Sequence, residues 1–162
     1  MNLREKIKNK EIKVAVIGLG YVGLPLAMAI IEKGIRVIGI DLDSKKIEFL
    51  KKGQNYIQDV NDKSLSKAVR TGILESSSDF KNIQNADVIC ITVPTPIKKD
   101  KTPDMKYVIS ASESVSGFLK KDQLVILKST TYPGTTDEVV LPILEKRSEE
   151  HTSELQSHSD LV

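Results

Sequence analysis

The sequence has no tryptophan, one cysteine and only 4% aromatic residues. It also lacks any long apolar run. Each absence excludes something. A lone cysteine, Cys90, cannot form an intramolecular disulfide, which suits a reducing compartment. The longest apolar run, Leu24–Ile31, contains Pro25 and is too short to span a bilayer. Met1–Lys10 is charged and has no apolar signal-peptide core. These features predict a cytoplasmic protein that does not engage a membrane. Charge of one sign is lacking too: 24 basic residues stand against 22 acidic ones, for a net charge of +2. That balance gives no electrostatic case for nucleic acid. Histidine is scarce, and both copies, His151 and His158, lie near the C-terminus outside any motif. No metal site is predicted.

What is present is an α/β rhythm. The chain has 162 residues, 40% of them hydrophobic, enough for one domain with a buried core. Ile12–Ile17, Arg36–Ile40, Ile73–Ser76, Asp87–Val93 and Gln123–Lys128 read as strands. Between them, helices are predicted over Leu24–Lys33, Ser44–Lys52, Asn61–Thr71, Asp79–Gln84 and Met105–Phe118, and a last one from the Thr135 cap through Leu144. Gly34, Gly53 and Gly72 stand where helices stop, and Ser44 is the expected N-cap of the second. The strands are uniformly apolar rather than alternating. That pattern predicts a Rossmann-type, doubly wound parallel sheet with helices on both faces.

Residues 1–11 read as a charged lead-in and residues 12–146 as the domain itself. Residues 147–162 break the pattern, being polar and aperiodic, and are expected to be disordered. Arg147–Ser157 matches, codon for codon, the in-frame translation of a common sequencing-library adapter. On that reading native sequence ends near Lys146, the chain is a gene fragment, and neither histidine has a role.

The chemistry-bearing motif is Gly18-Leu19-Gly20-Tyr21-Val22-Gly23, between the first strand and the first long helix. A bare glycine pattern is a weak signal, but its context here is informative. An acidic residue, Asp41, ends the next strand roughly 20 residues on, as a dinucleotide fold requires. Gly18 permits the tight turn, Gly20 lets backbone approach a pyrophosphate, and Gly23 lets helix pack on strand. The helix N-terminus offers free N–H groups to phosphate. Asp41 suits ribose hydroxyls and repels a 2′-phosphate, favouring NAD over NADP. Lys46 follows on the next helix, equally readable as an adenosine contact or a solvated lysine. Two more strand exits share this edge of the sheet: Val93-Pro94-Thr95-Pro96, and Lys128-Ser129-Thr130-Thr131-Tyr132-Pro133-Gly134-Thr135. Singly they read as turns and caps. Together they form a candidate nicotinamide-side wall. Cys90 lies inside an apolar strand and reads as a small hydrophobe.

With these segments assembled, Val14–Ala27 including Gly-Tyr-Val-Gly-Leu-Pro, the Asp41 strand end, Val93–Pro96 and Lys128–Thr136, the chain resembles the UDP-glucose/GDP-mannose dehydrogenase family. Thr95-Pro96 with Pro103-Asp104-Met105-x-Tyr107-Val108 looks most like the branch that oxidises UDP-N-acetylhexosamines. The resemblance implies oxidation of the C6 alcohol of a UDP-sugar, a UDP-N-acetylhexosamine or UDP-glucose, to a uronic acid with two NAD, for surface polysaccharides. It implies a homodimer when full length. It assigns Gly18, Gly20, Tyr21, Val22 and Gly23 to the pyrophosphate, Asp41 and Lys46 to the adenosine ribose, and Thr95 and Thr130 to the nicotinamide side. Thr130 is also placed near the catalytic water. The family's catalytic cysteine matches no residue here, so this chain alone is expected to be inactive. Two other readings stay open: a different two-domain NAD-dependent dehydrogenase of 3-hydroxyacid type, and a non-catalytic NAD-sensing module.

Overall fold

A computed structural model describes residues 2–152, with side chains through residue 146. Five parallel strands, β1 (Lys13–Ile17), β2 (Arg36–Ile40), β3 (Leu74–Ser77), β4 (Val88–Ile91) and β5 (Leu124–Leu127), form one sheet in the order β3-β2-β1-β4-β5. Alternate residues of each inner strand enter opposite cores. Val14, Val16, Val37 and Val88 join Leu24 and Ala27 of α2 (Gly23–Glu32), Ile47 and Leu50 of α3 (Ser44–Lys51), and Leu65 and Ala68 of α4 (Asp62–Arg70). Ala15, Ile17, Ile38, Ile89 and Ile91 face the other way. They meet Phe80 and Ile83 of a 3₁₀ turn (Phe80–Asn85) and Ala111 and Val115 of α5 (Lys106–Ser116). Burial on both faces explains why the inner strands β1, β2 and β4 are apolar at nearly every position. The edge strands are the exceptions and correct the expectation of uniformly apolar strands: β3 buries only Leu74, with Glu75 exposed and Ser76 and Ser77 half-buried, and β5 is covered on one side. Val125 and Leu127 pack inward, while Leu124 and Ile126 are exposed.

Local chemistry fixes the elements. The lead-in forms a short helix, α1 (Leu3–Asn9), held by a reciprocal capping box between Asn2 and Glu5. Gly34, Gly53 and Gly72 follow α2, α3 and α4 at φ +81°, +68° and +68°, a left-handed turn that glycine adopts without Cβ strain. The cap of α3 is Asp43, not the expected Ser44: its carboxylate accepts from the Lys45 N–H at 2.9 Å. Both residue types cap well, and Asp43, one residue earlier, is the one with extended backbone, at φ −76° and ψ 103°. Thr135 precedes a π-helical turn (Thr136–Val140), but its hydroxyl donates to the Tyr132 carbonyl at 2.7 Å and caps nothing.

The final helix, α6 (Leu141–Thr152), runs past the expected end of order at Lys146. The expectation of a disordered tail is therefore corrected over residues 147–152. Arg and Glu are good helix formers, and extending an existing helix needs no new nucleus. The remainder of the adapter-like stretch, with His158, lies outside the described residues. Among the described residues no helix is long and apolar enough to cross a membrane.

One ion pair staples α1 to the amino end of β4. Lys6 Nζ lies 2.6 Å from Asp87 Oδ1, and the Lys13 N–H donates to Oδ2 at 2.9 Å. Burial works to raise the Asp87 carboxyl, but the Lys6 and Lys13 contacts outweigh it and hold it below its ordinary 3.8. The unfolded chain therefore takes up this proton at a higher pH than the folded one. The stabilisation is complete above pH 3.8 and is lost as pH falls through the folded value. Asp87→Asn is expected to cost about 1 kcal/mol at neutral pH. In urea melts across pH the deficit should shrink below pH 3.8; a deficit that holds constant into acid would refute the linkage.

Candidate functional site

Every candidate residue named from the sequence falls at the carboxyl edge of the sheet. β1 and β4 are neighbours there, and their chains leave toward opposite faces, β1 into α2 and β4 toward α5. This divergence opens the crevice in which open α/β sheets bind ligands.

The glycine turn is shaped from below. Gly18 sits at φ +91°, and its N–H donates to the Ile40 carbonyl at 2.7 Å. Gly23 begins α2, and a Cβ on it would lie 1.7 Å from the Gly18 carbonyl oxygen. Those two glycines are required by the fold itself. Gly20 is different: its φ lies outside the left-handed region, and a Cβ there would meet nothing within 4 Å. Nothing inside the protein demands a glycine at that position, so the space is free for a group from outside. The N–H groups of Gly20, Tyr21, Val22 and Gly23 donate to no acceptor among the described residues. Val22, the N-cap of α2, supplies no side-chain acceptor either. Unsatisfied first-turn donors with the positive end of a helix dipole form an anion site. The side chains of Tyr21 and Val22 stand out, 78% and 55% exposed.

Asp41 directly follows β2 and is largely covered, with 10% of its side chain exposed. Its Oδ2 accepts from the Leu19 N–H at 2.8 Å and from Lys46 Nζ at 3.1 Å, and its Oδ1 from the Asp43 N–H at 2.9 Å. Lys46 is thus drawn onto Asp41 rather than left in solvent. Each carboxylate oxygen accepts two or more bonds, so Oδ1 keeps capacity for a ribose hydroxyl. Beside Asp41 opens a cleft of about 290 Å³ lined by Gly18, Leu42, Lys46, Val93, Pro94, Tyr107, Ser110 and Ser114, among others. Its walls are mostly apolar with hydroxyls at one side, a lining that suits a purine with its sugar. A larger hollow, about 610 Å³, lies at the amino end of the strands by Lys6 and Asp87, away from every motif.

On the other side of the switch point the two predicted loops touch. Thr95 Oγ1 donates to the Thr130 carbonyl at 2.5 Å, and Ser129 Oγ to the Val93 carbonyl at 2.7 Å. Thr95 is half-buried and Thr130 exposed. Cys90 is buried in β4 between Val16 of β1 and Ile126 of β5. Burial pushes its thiol up, with Lys128 partly opposing, so it is no thiolate nucleophile.

Sequence reasoning missed two hydroxyls that brace the glycine turn. Thr92, 6% exposed, lies 2.8 Å from both the Ile17 and the Gly18 carbonyls and shares its one proton between them. Tyr56 donates to the Leu19 carbonyl at 2.8 Å. Both act across long sequence separations and belong to no motif. Leu42, Ser110 and Ser114 of the cleft were missed for the same reason.

The group these parts accommodate is a dinucleotide: an anion site for its phosphates, an acidic acceptor for a ribose and an apolar slot for a base. The chain is a dinucleotide-binding domain. Comparison with known proteins narrows this. Residues 12–161 match the UDP-glucose/GDP-mannose dehydrogenase family, NAD binding domain. The UDP-N-acetyl-D-glucosamine 6-dehydrogenase of Pseudomonas aeruginosa is 42% identical over 139 residues, covering 86% of this chain and 32% of that protein. The UDP-N-acetyl-D-mannosamine dehydrogenase of Escherichia coli K12 is 40% identical over 135 residues, 83% of this chain and 31% of that protein. A ternary complex of GDP-mannose dehydrogenase from P. aeruginosa superposes with a TM-score of 0.79 at 31% identity, covering 84% of this chain and 32% of that one. The chain belongs to the UDP-glucose/GDP-mannose dehydrogenase family and carries its NAD-binding domain. It spans about a third of the length of the curated relatives it matches.

Proposed function

We propose that this chain is the cofactor-holding part of a NAD-dependent UDP-sugar 6-dehydrogenase whose substrate is a UDP-N-acetylhexosamine. The observation that carries the proposal is the open face at Gly20, beside unpaired N–H groups and next to Leu19, whose N–H donates to Asp41. Gly18, Gly20, Tyr21, Val22 and Gly23 hold the pyrophosphate through backbone donors. Asp41 receives the adenosine ribose, with Lys46 steadying its carboxylate. Thr95 and Thr130 bound the nicotinamide side, and Thr130 orders water near the reacting carbon. NAD, when bound, would supply the hydride acceptor, one molecule for the C6 alcohol and a second for the aldehyde once a thiol from outside these motifs has captured it. The identity to the P. aeruginosa N-acetylglucosamine enzyme supports the choice of sugar. The thiol that captures the aldehyde is not Cys90, which is buried in the sheet. Homodimerisation and a cytoplasmic setting are part of the same proposal for the whole protein.

Calorimetric titration of this chain is expected to show NAD binding tighter than NADP. Adding UDP-N-acetylglucosamine with NAD should give no NADH, since the sugar-oxidising residues are not among these motifs. A folded sample that binds neither cofactor would overturn the cradle, and NADH formation by this chain would overturn the division of labour.

A further inference from the structure

We propose that the Tyr56 hydroxyl is a positioning group for cofactor binding, holding the Leu19 carbonyl so that the Gly20 N–H faces the pyrophosphate. The inference rests on the glycine turn being the pyrophosphate site. Tyr56 lies in the segment between α3 and α4, far from the turn in sequence, and reaches its Leu19 carbonyl at 2.8 Å. Its ring is half-buried against the α2–α4 core and tilts over Phe49 with centroids 6.5 Å apart. The hydroxyl is therefore delivered by packing and not by a free side chain.

What that hydrogen bond controls follows from peptide geometry. The Leu19 carbonyl and the Gly20 N–H belong to one planar trans unit, so they point in opposite directions. Fixing the carbonyl on Tyr56 aims the Gly20 N–H away from Tyr56. The preceding unit is fixed at both ends. Its carbonyl, on Gly18, is 2.8 Å from Thr92 Oγ1, and its N–H, on Leu19, donates to Asp41 Oδ2 at 2.8 Å. Two consecutive peptide planes at a glycine-rich turn are thus locked by three side chains from three distant segments. The Leu19–Gly20 unit is the one that carries a donor with no acceptor among the described residues. Glycine at position 20 makes that plane free to rotate, and Tyr56 removes the freedom. Burial, reinforced by the charges of Asp41 and Asp43, pushes the phenol well above its ordinary value, so it stays a donor.

The test is Tyr56→Phe in this chain, which keeps the ring and its packing. NAD affinity, by calorimetry, is expected to fall roughly tenfold, the worth of one poorly aimed hydrogen bond to a charged group. Adenosine, which has no phosphate, should bind within about twofold of the parent in an NMR titration, and the parent's Gly20 amide shift on adding NAD should be strongly reduced in the variant. Unchanged NAD affinity would overturn the proposal. So would NAD and adenosine weakening by the same factor, the mark of a general loss of structure. A parent chain that binds adenosine but not NAD would remove the cradle itself, and that result appears before any substitution is made.

Discussion

Gly20→Ala is expected to melt with the parent yet bind NAD at least about tenfold more weakly, whereas Gly23→Ala is expected to lose stability as well. The two glycines sit three residues apart in one motif, and the structure separates their reasons. At Gly23 an added Cβ would lie 1.7 Å from the Gly18 carbonyl oxygen, 2.6 Å from Thr92 Oγ1 and 2.9 Å from the Gly18 carbonyl carbon. Two of those atoms are backbone in a turn that is itself hydrogen-bonded to β2, so the clash cannot be relieved by a side-chain rotation. The cost is expected near the top of the overpacking range, roughly 3 kcal/mol, which for a domain of this size lowers Tm by about 6–12 °C. The gain from alanine's better helix propensity, about 1 kcal/mol, does not offset it. At Gly20 a Cβ meets nothing, so the folded protein has no objection to it. Only a ligand whose atoms pass within contact of that backbone would register the methyl. Thermal melts by circular dichroism and calorimetric titration on both variants separate the cases. Wild-type NAD affinity in Gly20→Ala would mean the pyrophosphate does not approach there, and the cradle would need to be sought elsewhere along the crevice.

The parts of this site that were legible in the sequence share one property: their physics is local. Ile12–Ile17, the glycines and the apolar first turn of α2 lie within a dozen or so consecutive positions, and each constrains the next. Asp41 was legible because a strand, a helix and another strand have a fixed minimum length, which puts the second strand end where it must be. Tyr56 and Thr92 were not, because their meaning is a contact across the fold, |i−j| of 37 to Leu19 and 74 to Gly18. A tyrosine in a polar loop and a threonine at a strand exit carry no periodic signal. The same holds for the cleft lining: Ser110 and Ser114 sit one helical turn apart on α5 and read as a solvated face until β2 is set opposite them. The cap of α3 was misplaced by one residue because Asp43 and Ser44 are equally good caps by residue type, and only the backbone, extended at Asp43 and helical from Ser44, chooses between them. The open side of β5 has a related origin. Leu124 and Ile126 are as apolar as Val125 and Leu127, so composition could not tell which face is covered.

The preference for NAD over NADP is expected to collapse in Asp41→Ala, and the geometry says why the effect should be large in both directions. The carboxylate accepts three hydrogen bonds, from Leu19, Asp43 and Lys46. Truncation removes the ribose acceptor, and it leaves the Leu19 N–H without its partner, a loosening of the glycine turn that both cofactors feel alike. Losing one charge-assisted bond to the ligand is worth about 1.5–3 kcal/mol, roughly ten- to a hundredfold in NAD affinity, while the orphaned Leu19 N–H costs the folded chain with or without ligand. NADP meets the opposite change. The charge that repels its 2′-phosphate is gone, and the Lys46 ammonium, now without its anion at 3.1 Å, is free to meet the phosphate. NADP affinity should therefore hold or rise while NAD affinity falls, narrowing their ratio by at least tenfold. Adding Lys46→Ala to that variant should remove any NADP gain without restoring NAD. If Asp41→Ala weakens both cofactors equally, the carboxylate shapes the turn but does not read the ribose. If it weakens neither, Asp41 belongs to the fold alone, and selection between the cofactors must come from the cleft beyond Leu42.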